Sequence, residues 1–171
     1  PMGQEIAVTP LGLAAGYNVF ASGGRWVQPR LALGLADNSG RTPVETFAPA
    51  RPRTVIRRDV ADLMCRDFLA GVVEEGTAKR ARVYGYRLGG KTGTAQVARK
   101  DGRGYEPGAY ISSFVGMAPL PSPRAVCMVM IERPRKAHYG GTVAAPAAAT
   151  VLERTLSYLS VPREPGALAM K

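Results

Sequence analysis

Residues 88–97 read Leu-Gly-Gly-Lys-Thr-Gly-Thr-Ala-Gln-Val, and this run constrains the fold more than any other. Gly89, Gly90 and Gly93 fall close together, and Gly102, Gly104, Pro107 and Gly108 follow. Gly and Pro are the poorest helix formers. No apolar residue recurs at helical spacing through the segment, while the flanking Leu88 and Val97 suit a strand. The segment is therefore expected to be extended. It then places the charge of Lys91, the hydroxyls of Thr92 and Thr94, and a stretch of bare backbone at Gly93 along one strand. Glycine lets another chain approach closely, so such an edge suits an extended anionic peptide.

A second reading competes for the same residues. Positions 85–92 match the phosphate-loop pattern G-x-x-x-x-G-K-[ST]. Backbone amides would then cradle phosphates, with Lys91 reaching the terminal ones. The apolar run 125–131, ending at Glu132, would serve as the magnesium-holding strand. This reading requires a helix to open at Lys91, because the helix N-terminus supplies the anion site. Gly93 and the later glycines and prolines argue against that helix. Tyr86, Arg87 and Leu88 inside the supposed loop are large and strand-like.

Along the chain, Thr9 and Pro10 form an N-cap and first-turn pair. Leu13, Tyr17 and Phe20 mark the apolar face of the helix that follows, and Gly23-Gly24 stops it. Residues 28–35 are expected to be extended. Residues 36–58 carry Pro43, Pro49, Pro52 and several arginines, and read as a surface excursion of loop and short strand. Asp59 is expected to cap a second helix. Its buried stripe is read as Val60, Leu63, Met64, Phe68 and Val72, with Gly76 ending it. Three strands follow, near 84–98, 110–118 and 124–133. Asp101-Gly102 bends the first hairpin, and the third strand's continuous apolar middle suggests a central position. Pro146 is read as the start of a closing helix with Ala148, Leu152, Leu156 and Leu159 inward, ended by Pro162. The fold class is α+β, an antiparallel sheet packed against helices.

The size and the 46% apolar content suit one domain. No apolar run approaches the roughly 18 residues of a membrane span. Lys and Arg number 23 against 13 Asp and Glu, a formal net charge of +10. The basic residues scatter over separate loops, with few aromatics among them to stack on bases, so no nucleic-acid partner is expected. A basic surface also suits anionic lipids and wall polymers. Cys65 and Cys127 lack metal-site spacing and read as buried thiols, with a disulfide between them left open. No metal and no cofactor is expected. His138, the single histidine, lies in a turn-rich loop and reads as a surface residue. Glu74 and Glu75 read as a solvated helix end, because neighbours do not share a helix face.

Lys-Thr-Gly is one of three short motifs of serine acyl-transfer enzymes acting on D-alanyl peptides and β-lactams, with S-x-x-K and S-D-N. Here it stands in a longer pattern. Gly3-Gln4 and Val8-Thr9-Pro10-Leu11 lie near the start, and Gly-Thr-Ala at 76–78 and Gly-Tyr-Arg-Leu at 85–88 lie ahead of it. Behind it come Ser-Phe-Val-Gly-Met-Ala-Pro at 113–119, Ile131-Glu132-Arg133-Pro134, and Tyr-Gly-Gly-Thr-Val-Ala-Ala-Pro at 139–146. In order and spacing these resemble the transpeptidase domain of class B penicillin-binding proteins, closest to the cell-division type. The resemblance spans about residues 3–162, with 163–171 as a tail. Glu5 and the alanines at 147–149 depart from the usual pattern.

The resemblance implies a partial β-lactamase/transpeptidase-like fold with the lysine motif on an edge strand facing a nucleophile helix. It implies that Lys91 helps hold a middle-motif serine and attracts the substrate's terminal carboxylate. Thr94 would bind that carboxylate through its hydroxyl and offer its N–H as half of an oxyanion hole. Thr92 and Gly93 complete the substrate wall, Thr92 more by packing than by chemistry. Partners implied are the D-alanyl-D-alanine end of a peptidoglycan stem peptide, β-lactams and cell-division membrane proteins. The implied location is the extracytoplasmic side of a bacterial membrane.

None of the seven serines has Lys three positions on, and none begins Ser-x-Asn. The chain thus reads as the C-terminal portion of a transpeptidase domain whose N-terminal half lies elsewhere. Alone it is expected not to be acylated, since covalent catalysis needs a nucleophile beside its base. A non-catalytic relic or partner-binding module is the alternative. An unpaired apolar edge is expected near residues 125–131.

Overall fold

The computed structural model describes residues 6–40 and 43–164. Gly3, Gln4, Glu5 and residues 165–171 of the tail lie outside the described residues. Helix α1 (Pro10–Ala21) starts as its sequence dictates: Thr9 Oγ1 accepts from the Gly12 N–H at 3.1 Å, with Pro10 in the first turn. Gly23 and Gly24 end it at φ of 66° and 89°. A Cβ at Gly24 would overlap the Ile56 carbonyl, so the chain passes itself closely there.

Two small antiparallel ribbons make up the surface excursion. β1 (Arg25–Trp26) pairs with β4 (Arg53–Thr54), and β2 (Gly34–Ala36) pairs with β3 (Pro43–Thr46). The extended stretch expected over 28–35 becomes strand only from Gly34.

A helical rod follows: α2 (Arg58–Leu63), a π-helical segment (Met64–Leu69) and α3 (Ala70–Glu74). Two expectations are corrected here. Arg57, without a side-chain cap, holds the N-cap position, and Asp59 sits in the first turn paired with Arg57. The Arg57 hydrogen bond holds the Asp59 carboxyl below the usual range. The expected stripe also faces the wrong way. Val60, Leu63 and Phe68 are exposed and Met64 and Val72 half-buried, while Ala61, Cys65, Leu69, Ala70 and Val73 point inward. The small inward residues let the rod approach the sheet, and their weak hydrophobicity hid them beside the larger outward set. The rod's end is held by Arg82, whose guanidinium donates to the carbonyls of Val73 and Glu74. Arg87 bridges back to Glu74 at 2.6 Å and to the Arg66 carbonyl. Glu74 is thus an ion-pair partner, not a freely solvated end.

The main sheet is antiparallel in the order β5 (Gly89–Ala98), β6 (Tyr105–Ala118), β7 (Ala125–Glu132). β6 is central among the described strands. β7 is an edge, which corrects its expected central place and agrees with the open apolar edge. Alternation gives the sheet two faces. Phe114, Ala118, Cys127 and Val129 lie on one, Met117, Leu120 and Val126 on the other, in separate clusters. Cys65 belongs to the second cluster and Cys127 to the first, and both are free thiols, so the open disulfide does not form. Phe114 is fully buried above two glycines: a Cβ at Gly116 would come within 2.6 Å of its ring, and one at Gly90 would crowd it as well.

Helix α3 is followed, after the sheet, by α4 (Gly140–Tyr158), which covers the first face with Ala144, Ala145, Ala148, Ala149, Leu152 and Leu156. Burying each leucine there stabilises the fold by about 1.5–3 kcal/mol. The helix begins at Gly140, ahead of Pro146, which lies in its interior, and Leu159 is exposed; both correct the reading from sequence. The early start follows from contact. A Cβ at Gly140 would overlap the carbonyl oxygens of Ser113 and Gly93, and one at Gly141 that of Thr77. Only glycine lets this first turn touch the sheet. Ser160, at φ 54°, ends the helix before Pro162, with the Val161 N–H on the Leu156 carbonyl.

Candidate functional site

β5 pairs only with β6, so its other edge is open among the described residues. The strand runs unbroken through Lys91, Thr92 and Gly93 in register with Val115, Phe114 and Ser113. No helix opens at Lys91, and the phosphate-loop reading fails on that ground.

Lys91 is exposed, and its ammonium donates to the Thr92 carbonyl at 2.9 Å. No carboxylate among the described residues pairs with it. It stands at the end of an open groove of about 580 Å³. The groove is otherwise apolar: Leu13, Tyr17 and Phe20 come from α1, Met64, Phe68 and Val72 from the rod. Burial pushes the Tyr17 phenol up, so it stays neutral there.

Thr92 and Thr94 project from the opposite face of β5, as alternation requires. Thr92 Oγ1 shares a hydrogen bond with Thr77 Oγ1 at 2.8 Å. Thr94 is exposed, and its Oγ1 accepts from the Gly140 N–H at 3.1 Å. Gly93 has no side chain on the Lys91 face because the Ser113 hydroxyl fills the space a Cβ would take. The four expected residues therefore form one continuous edge, with Lys91 reaching from one face and the threonines from the other. A ligand lying along that edge can be touched from both.

Sequence reasoning missed the layer behind the edge. Thr77, Gly140 and Gly141 belong to the runs 76–78 and 139–146, where the sequence alone gives them no physical role. Ser112 is fully buried, and its hydroxyl donates to the His138 carbonyl. His138 is half-buried, not a surface residue: its ring stacks on Tyr110 at 4.2 Å and tilts against Tyr139 at 4.4 Å. No side-chain periodicity announces such contacts, because they join loop to strand. Among the described residues, no group of three or more His, Cys, Asp or Glu gathers as metal ligands. No described helix is long and apolar enough to cross a membrane.

The family description "Penicillin binding protein transpeptidase domain" matches residues 1–153. The chain belongs to this transpeptidase family. Stage V sporulation protein D of Bacillus subtilis is 37% identical over 160 residues, covering 93% of this chain and 24% of that protein. Peptidoglycan D,D-transpeptidase FtsI of Escherichia coli is 33% identical over 167 residues, covering 97% of this chain and 26% of that protein. Among solved structures, the apo transpeptidase domain of Burkholderia pseudomallei penicillin-binding protein 3 superposes with a TM-score of 0.72 at 34% identity, covering 92% of this chain and 44% of that one. Penicillin-binding protein 3 of Mycobacterium tuberculosis, complexed with ampicillin, gives a TM-score of 0.82 at 26% identity, covering 95% and 37%. The fold is accordingly that of the penicillin-binding transpeptidases, and the chain, a partial transpeptidase domain, spans about a quarter of the length of these curated relatives.

Proposed function

We propose that this chain supplies one wall of a serine D,D-transpeptidase site, which in a longer protein crosslinks peptidoglycan stem peptides through an acyl-enzyme. The observation that carries the reading is the edge of β5 left unpaired among the described strands, with Lys91 unpaired by any described carboxylate and Thr94 exposed beside Gly93. Lys91 attracts the terminal carboxylate of the D-alanyl-D-alanine donor, or of a β-lactam, and orients a serine brought by the rest of the protein. Thr94 donates its hydroxyl to that carboxylate and its N–H to the carbonyl oxygen as negative charge develops there. One oxyanion donor contributes on the order of 3 kcal/mol to lowering the barrier. Gly93 admits the donor's backbone, and Thr92 holds the strand to Thr77.

The remainder of the protein is the natural cover for the apolar groove beside Lys91, and brings the nucleophile and its lysine base. The reading extends to the extracytoplasmic face of a bacterial membrane, with division proteins as partners, and the likeness to peptidoglycan D,D-transpeptidases supports it. A partner-binding module without chemistry of its own is the second reading, favoured by the lack of Ser-x-x-Lys among this chain's serines.

Fluorescent penicillin tests the proposal. The 171-residue chain alone takes no covalent label. A longer protein containing it, with a Ser-x-x-Lys motif, is labelled, and Lys91→Ala lowers its acylation rate at least a hundredfold, about 2.7 kcal/mol in the barrier. Full-rate labelling of the Lys91→Ala protein overturns the role given to the lysine.

A further inference from the structure

Helix α4 begins at Gly140 with no side chain of its own to cap it: Tyr139 at the N-cap makes no such bond. The cap comes instead from the neighbouring strand, where Thr94 Oγ1 accepts from the Gly140 N–H at 3.1 Å. This fixes more than the helix. A hydroxyl has one proton to give and two lone pairs to receive. With a lone pair engaged by an amide behind it, the proton is left to be donated away from the helix. The Gly140 N–H thus fixes the position of the Thr94 oxygen and leaves its proton free to be donated.

The contact depends on Gly140 having no side chain. A Cβ there would overlap the carbonyl oxygens of both Ser113 and Gly93. Any larger residue must move the first turn of α4 off β5 and stretch the bond to Thr94. The bond is also braced from the side. Ser112, the β6 residue opposite Thr94, donates to the His138 carbonyl and ties the segment entering α4 to the sheet.

We propose that Gly140 is a positioning residue that acts through Thr94, holding its hydroxyl as a donor to the substrate's terminal carboxylate. The inference rests on the reading of β5 as the carboxylate-binding wall. It predicts that Gly140 governs discrimination between an anionic ligand and its neutral counterpart, not stability alone.

The test uses the longer protein and two probes, a penicillin with its free carboxylate and the methyl ester of the same penicillin. Acylation rates for both are measured in the parent and in Gly140→Ala, Thr94→Val and Thr94→Ser. Gly140→Ala is expected to lower the acid-to-ester preference about tenfold. Thr94→Val is expected to lower it as much, and the double variant to lose no more than the worse single one, because both break one contact. Thr94→Ser keeps the preference. If Gly140→Ala slows acid and ester equally, or the double variant shows the two losses multiplied, the positioning role is wrong. If Thr94→Val leaves the preference intact, the reading of the wall itself fails. Should Gly140→Ala not fold, amide hydrogen exchange at Gly140 decides the matter. It is protected in the parent and Thr94→Ser and fast in Thr94→Val; equal protection in all three overturns the inference.

Discussion

At the scale of single residues, the two thiols show how burial sets reactivity. Burial pushes both Cys65 and Cys127 up from their ordinary value, Cys65 also through the nearby Asp62 charge. The reactive species is the thiolate, so each thiol is mostly protonated at pH 8 and labels slowly. The rate rises as pH climbs through the raised value, later than for a free thiol. Cys65 is only 2% exposed and Cys127 half-buried. A thiol-reactive dye applied to the native chain is therefore expected to modify Cys127 first, with both cysteines recovered as monomeric thiols after denaturation without reductant. A Cys65–Cys127 crosslink in a non-reduced digest would contradict the placement of the two on opposite faces of the sheet.

At the scale of elements, α4 carries a proline where a helix least tolerates one. Pro146 removes an N–H that would otherwise meet the Thr142 carbonyl, and its ring crowds that oxygen, a penalty of about 3 kcal/mol in a helix interior. Proline returns roughly 0.4–1 kcal/mol by stiffening the unfolded chain, and half-buried packing offsets some of the rest. The balance still favours replacement, so Pro146→Ala is expected to raise unfolding stability by about 1–2 kcal/mol in urea melts. A loss of stability would mean that packing outweighs the backbone. The same proline explains a misread boundary. A helix-start signal such as Pro146 is persuasive in sequence, whereas Gly140-Gly141 resembles a turn. Its true role, close approach to Ser113, Gly93 and Thr77, exists only once the sheet is assembled. By contrast α1 and β5 were legible, because Thr9-Pro10 and the glycine-rich lysine segment act locally. The rod was half legible: its helical period was plain, but its inward face is made of Ala and Cys, and the π-helical segment shifts which residues align.

At the scale of the whole molecule, the apolar face of the rod is the feature without a described partner. Phe68 is 60% exposed, and Val60 and Leu63 are open as well. Exposed apolar patches of this kind mark interfaces or aggregation sites, and the edge of β7, unpaired among the described strands, adds a second such hazard. The isolated chain is expected to self-associate in size-exclusion runs at rising concentration. Phe68→Ser should shift it toward monomer while changing its urea midpoint little. In a longer protein the same substitution should cost about 1 kcal/mol or more, since a covered apolar ring is then lost. Unchanged association in the variant would move the blame to the β7 edge. The strand carrying Lys91, Thr92, Gly93 and Thr94 was legible. Its support by Thr77 and Gly140 was not, because residues far apart in sequence meet there.

The last described residues fold back over the approach to the lysine strand. Arg163 donates to the Tyr84 carbonyl at 2.7 Å and lies over the Tyr86 ring, the Tyr86 hydroxyl reaches the Val161 carbonyl at 2.7 Å, and the Glu164 N–H reaches that of Gly85. Residues 161–164 thus act as a latch on the segment that leads into β5. A version trimmed after α4 would leave the hydroxyl of the buried Tyr86 without its acceptor, and would untie the segment that enters β5.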